Sequence, residues 1–238
     1  MIISNPDIIV KNGYLNYQVQ VQFCGKTEIL WYKLEEGYED LVSDRSDAPL
    51  VALLIPAMSQ GEDIKIEGTV SEKLIYNLSG PYQTVLKLII PSLHCVKIIP
   101  SDVRPAHSTG QGVAMGFSGG IDSFSVLADH HNSNVTDGFR VTHLLFNNVG
   151  SHGDDEKKSK RLFHRRYNRL KPLTEQMGLP FIAIDSNINS FYQDFTFVKS
   201  RIMFTHKTTP SHNQGFVRVA IGTRMHGTVH HNQDWNAV

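Results

Sequence analysis

One hexapeptide constrains this chain more than any other: Ser118-Gly119-Gly120-Ile121-Asp122-Ser123, set between an apolar run and an amphipathic one. Residues 113–117, Val-Ala-Met-Gly-Phe, form a short apolar stretch suited to a buried strand. From Asp122 to about His131 the pattern turns helical, with Phe124, Leu127 and Ala128 on one side. The hexapeptide is therefore a strand-to-helix turn. Gly119 and Gly120 carry no Cβ, so the backbone there can turn tightly and approach an anion closely. The unpaired N–H groups of a helix start point at that anion, and the helix dipole favours negative charge there. Ser118 and Ser123 add hydroxyl donors. Asp122 is at odds with a phosphate unless it caps the helix or holds a divalent cation that the phosphates share.

The alternation continues downstream. Residues 141–149 read as a second strand, 157–177 as a helix with Phe163, Tyr167 and Leu170 on one face, and 180–185 as a third strand. Pro172 is expected to kink or split that helix. Strands this apolar, alternating with helices, imply a parallel sheet covered on both faces. Upstream the texture differs. Tyr17, Val19, Val21 and Phe23 alternate with Gln18, Gln20 and Gln22, a half-buried strand whose hairpin partner is residues 29–32 across Cys24-Gly25-Lys26-Thr27. Residues 49–56 form an apolar stretch between prolines, either a buried strand or a core helix. A strand is expected over 64–70, short helices over 71–78 and 84–90, and a strand over 96–99. The organisation expected is an α/β fold with a β-rich α+β accessory domain over 1–100, a linker over 101–112 rich in Ser, Pro, Gly and Asp, and a nucleotide-type domain over 113–238.

Composition narrows the classes. A 238-residue chain with 40% hydrophobic and 19% charged residues can bury one large or two small cores. Zero formal net charge gives no global pull toward nucleic acid or anionic membrane. Cys24 and Cys95 are the only cysteines, so a Cys-rich zinc site is not expected. No apolar run approaches the roughly 20 residues that span a bilayer, and the N-terminus lacks the pattern of a signal peptide. The setting expected is cytoplasmic, with no membrane partner.

The hexapeptide resembles the SGGxDS loop of the PP-loop ATP pyrophosphatases, a HUP-like, Rossmann-like superfamily that includes NAD, GMP, asparagine and argininosuccinate synthetases and the deazaguanine nitrile synthases. The likeness covers residues 112–185, about a third of the chain. A chance match of five specified residues is on the order of one in a million per start position. The Gly-Lys-Ser/Thr of the Walker loop is absent, and Gly116, Gly119 and Gly120 do not fit GxGxxG. The resemblance implies ATP and Mg²⁺ as cofactors. It implies adenylation of a small-molecule carboxylate or amide, loss of pyrophosphate, and displacement of AMP by a nitrogen or sulfur nucleophile from a separate donor. By the same carry-over Ser118, Gly119, Gly120, Ile121 and Ser123 hold pyrophosphate, Asp122 holds Mg²⁺, and Asp122 and Ser123 are the catalytic candidates. Gly116, Phe117, Phe146, Asn147 and Asn148 lie where the base would sit, at the carboxyl ends of adjacent strands. The other readings are a nucleotide-binding protein without turnover and an RNA-modifying adenylating enzyme. A homo-oligomer is among the partners to expect.

Weaker signals each have a plain alternative. The Gly-rich polar loop 147–155 could contact ligand or simply face solvent, and Asp185 could contact substrate or start a turn. Residues 157–171 contain eight Lys or Arg, and Lys158, Arg161, Arg165 and Arg169 form a stripe that is more often a solvated face than a nucleic-acid site. Glu62 and Asp63 suit a turn. Lys199, Arg201 and His206 are candidate cations for the γ-phosphate, and His226, His230 and His231 are metal ligands by type. After Met203 the chain becomes rich in Thr, His, Asn and Gly, as if the second half of a PP-loop domain, which has about five parallel strands, were shortened or altered in frame. The amidase and the C-terminal cysteine cluster of some branches of the superfamily are not expected.

Overall fold

The computed structural model describes residues 1–105, 112–132, 134–136, 139–149, 152 and 156–192. The candidate residues Lys199, Arg201, His206, His226, His230 and His231, and the stretch beyond Met203, lie outside the described residues. Among the described residues nine strands join into one sheet: β1 (Ile2–Ile3), β2 (Asp7–Lys11), β3 (Tyr14–Phe23), β4 (Lys26–Glu35), β5 (Ile64–Ser71), β6 (Ile98–Arg104), β7 (Ala114–Gly116), β8 (His143–Asn148) and β9 (Phe181–Ser186). Their order is β6-β5-β1-β3-β4-β9-β8-β7, with β2 added on β3. The sheet is mixed. β7, β8 and β9 run parallel, β6, β5 and β1 run parallel, and the pairings of β1, β2 and β4 with β3 and of β4 with β9 are antiparallel.

The alternation read in Tyr17, Val19 and Val21 is that of β3, all three buried, and Cys24-Gly25 turns it into β4. The apolar stretch between prolines is a helix, α1 (Asp47–Gln60), with Ala48 to Met58 buried except Val51. A helix apolar all round belongs inside a core. Pro49 sits in the first turn, where no N–H is missed. Pro56 is interior and cannot donate to the carbonyl of Ala52. The hydroxyl of Tyr192 donates to that carbonyl at 2.5 Å, from the 3₁₀ segment Ile188–Tyr192 that follows β9.

The two short helices are α2 (Glu72–Ser79) and α3 (Pro81–Ile89). Buried Gln83 ties α3 to the segments on either side of it: its amide donates to the carbonyls of Leu78 and Val96, and its Oε1 accepts from Val96 N. The strand expected over 96–99 begins two residues later and runs through the start of the expected linker as β6.

Then come α4 (Ile121–Leu127), extended by a π-helical turn Ala128–Asn132, and α5 (Glu156–Gln176). Pro172 lies inside α5 without ending it, so the expected split does not occur. Successive residues of the parallel strands face opposite cores. Met115, Leu144, Phe146 and Phe181 pack with Val126 and Leu127 of α4 and Phe163, Tyr167 and Leu170 of α5. Ala114, Leu145, Ile182 and Ile184 join the core that holds α1. Both faces are therefore covered, as the near-continuous apolar strands require. One cover comes from the first half of the chain, and the seam is the β4–β9 ladder, Tyr32 to Ser186 through Leu34 to Ile184. Side chains extend it: Asn187 Oδ1 accepts from Trp31 N at 2.9 Å and Ser186 Oγ donates to Trp31 O at 2.7 Å.

Candidate functional site

The loop between β7 and α4 has the shape its residues dictate. Gly119 is left-handed at φ +71, and Gly120, extended at ψ 169, precedes the first turn of α4. A Cβ on Gly119 would stand 2.5 Å from Leu170 Cδ2, so any side chain there meets both backbone strain and α5. Phe117 is buried, anchored by its N–H on Leu145 O at 2.8 Å and by edge-on contact with Phe124 and Phe181. Gly116 ends β7, half-buried.

Ser123 is the internal clamp of the turn. Its buried Oγ donates to Gly120 O at 3.1 Å, accepts from Ser118 N at 3.3 Å and shares a hydrogen bond with Ser118 Oγ at 3.0 Å. Its hydroxyl thus shapes the loop from within, whereas Ser118, Gly120, Ile121 and Asp122 are exposed on its outer side. Ile121 is 81% exposed, a large apolar side chain at the lip of a turn of small polar ones. The N–H groups of the first turn of a helix have no partner inside it, and just before that turn Gly120 N donates to Ser118 Oγ at 3.4 Å.

A second polar group gathers at the carboxyl ends of the neighbouring strands. Asn148, buried at the end of β8, donates to Asp185 Oδ1 at 2.7 Å at the end of β9. Its Oδ1 meets Ser159 Oγ of α5 at 3.1 Å and His152 Nδ1 at 3.2 Å. Asp185 also accepts from Ser186 N at 3.1 Å. The strands are parallel and adjacent, so this network and the Ser118–Ser123 turn occupy the same edge of the sheet. Asn148, His152 and Asp185 belong to segments singled out in the sequence. Ser159 was missed, although its place four residues before Phe163 on the inner face of α5 is legible as helical periodicity.

Phe146 is not at the surface of this edge. It stacks on Phe163 at 5.3 Å between centroids and lies 5.7 Å from Phe181, a core ring under α5. Asn147, on the opposite face of β8, is half-buried. In the stripe on α5, Lys158, Arg161, Arg165 and Arg169 are all exposed. Tyr167 below them donates to Phe181 O at 3.0 Å, and burial pushes its phenol up to about 12.

For Mg²⁺ the donor set is thin but of the right kind. Magnesium is commonly held by one or two carboxylates together with substrate phosphates rather than by a cage of protein ligands. The exposed Asp122 carboxylate, in the first turn after the loop, fits that mode. Among the described residues no group of three or more His, Cys, Asp or Glu is placed to hold a metal, and no helix is long and apolar enough to cross a membrane. No family model, curated protein or solved structure matches the chain.

Proposed function

We propose that this chain is an ATP-dependent adenylating enzyme of the ATP-pyrophosphatase kind. The observation that carries the reading is the Ser118–Ser123 turn: a strand–Gly-Gly–helix junction at the carboxyl edge of a parallel sheet, its inner hydroxyl spent on holding the turn and its outer side open. Backbone N–H groups of residues 119, 121 and 122 and the Ser118 hydroxyl receive the β- and γ-phosphates, while the Gly120 N–H donates to Ser118 Oγ. Ser123 positions the loop rather than touching phosphate. Asp122 would hold Mg²⁺, which supplies neutralisation of phosphate charge. Gly116 and Asn147 border the space for the base, with Phe117 and Phe146 supporting it from the core.

A substrate carboxylate or amide oxygen attacks the α-phosphorus, the bond from that phosphorus to the bridging oxygen breaks, and pyrophosphate departs into the loop. A nitrogen or sulfur nucleophile then displaces AMP. The polar network of Asn148, Asp185, His152 and Ser159 lies on the same edge and is the place to seek acceptor contacts.

The test is product analysis with α-labelled ATP, Mg²⁺ and a metabolite extract. AMP with an equimolar yield of pyrophosphate is expected, lost in Asp122→Ala. ADP with inorganic phosphate would overturn the reading.

A further inference from the structure

β2 is an edge strand whose five residues, Asp7-Ile8-Ile9-Val10-Lys11, are all exposed. It pairs with β3 from Asp7–Gln18 to Lys11–Tyr14, and among the described residues its other edge has no strand partner. The reason is local. β1 pairs with β5 at Ile2 and Ile3, but beyond Pro6 the edge of β5 is taken by Ser46, whose N–H donates to Thr69 O at 2.8 Å. The β2 edge is left presenting Ile8, Ile9 and Val10 at 38%, 40% and 48% exposure. A bare, β-branched edge is a template for pairing that monomeric proteins usually blunt with proline, charge or a bulge.

The sequence of β2 is complementary to itself run antiparallel. Residues alternate faces along a strand, so Asp7, Ile9 and Lys11 share one side and Ile8 and Val10 the other. Let a second copy of β2 run antiparallel beside the first, with the two-fold axis at Ile9. Asp7 then lies opposite the second copy's Lys11, Ile9 opposite Ile9, and Lys11 opposite Asp7; on the other face Ile8 lies opposite Val10 and Val10 opposite Ile8. Every charge meets its opposite and every apolar side chain an apolar one, on both faces. A parallel alignment in register would instead set Asp7 against Asp7 and Lys11 against Lys11.

We propose that the protein forms a two-fold homodimer by antiparallel pairing of β2 about Ile9, continuing the sheet from one copy into the next. The interface is isologous, with the same patch used by both subunits. Its charges set register and its apolar residues supply the burial. The proposal does not depend on the reading of the Ser118–Ser123 loop.

A charge-swap experiment on the full chain tests it, with sedimentation velocity up to roughly 200 µM as readout, a range that captures weak interfaces. The wild-type chain is expected to dimerise. Asp7→Lys places lysine opposite lysine twice per dimer, and Lys11→Asp places aspartate opposite aspartate twice, so each alone is expected to raise the dimer dissociation constant by at least about fivefold. Mixing the two variants is expected to restore dimers, because a strand with a lysine at both ends then faces a strand with an aspartate at both ends. The double variant D7K/K11D is expected to dimerise as the wild type does. Both side chains are exposed, and circular dichroism verifies that each variant is folded. A monomeric wild type, as would follow if another part of the chain or another protein covered β2, overturns the proposal. So do dimers indifferent to both single swaps, or a mixture that stays monomeric.

Discussion

Gly119 is where backbone, packing and site meet in one residue. Its positive φ disfavours any side chain by about 1–2 kcal/mol, and a Cβ at this position, 2.5 Å from Leu170 Cδ2, adds a steric cost. Gly119→Ala is therefore expected to destabilise the fold, measured as a lower urea midpoint, and to weaken ATP binding. In a Leu170→Ala background the same substitution should cost less, because the steric part has been removed; equal costs in both backgrounds would assign the whole effect to φ. Tyr32 gives the opposite kind of residue. Its hydroxyl is buried with no hydrogen-bond partner, and burial holds its phenol far above the ordinary range. Tyr32→Phe removes an unsatisfied polar atom and keeps the ring against Tyr17, so urea denaturation should find it neutral or up to about 1 kcal/mol more stable.

At the scale of elements, α1 depends on a hydroxyl donated from the other half of the chain. Tyr192→Phe would leave the Ala52 carbonyl without that donor, at a cost of about 1–3 kcal/mol. Pro56→Ala restores an N–H that can reach the same carbonyl. The loss from Tyr192→Phe should shrink in that background, and a double-mutant cycle by chemical denaturation measures the coupling. This pairing explains what was and was not legible in the sequence. Strong periodicity revealed β3, α5 and the strands around the loop. Residues 49–56 were ambiguous because a wholly buried helix and a buried strand are both uniformly apolar. Pro172 did not split α5, because an interior proline weakens a helix without preventing one whose apolar face is well packed. The turn after β7 was legible to the residue. The Asn148–Asp185–Ser159 network was not, because it joins the ends of β8 and β9 to α5, and no local pattern encodes which strands become neighbours.

The described residues form one sheet, continuous across the β4–β9 ladder, and the core under α1 draws on both halves of the chain, so the two halves should unfold together rather than as separate units. Alkaline pH is a probe of that cooperativity. Burial raises the phenols of Tyr17, Tyr32, Tyr82 and Tyr192, and that of Tyr167 to about 12, from an ordinary 10.0. An unfolded chain ionises its tyrosines first, so the native state holds more protons between these values. Stability is then fully present below pH 10 and falls as pH rises from 10 toward 12. One unfolding transition, seen alike by tryptophan fluorescence and by circular dichroism, is the expected result of a pH titration. For the central claim, that the turn after β7 grips the pyrophosphate end of ATP, competition binding is the most direct measurement. Calorimetric titration of ATP with Mg²⁺ into the full chain should give saturable binding that inorganic pyrophosphate displaces, adenosine displaces far less, and Gly119→Ala weakens. ATP binding that adenosine abolishes while pyrophosphate leaves it unchanged, or no ATP binding at all, would contradict the account.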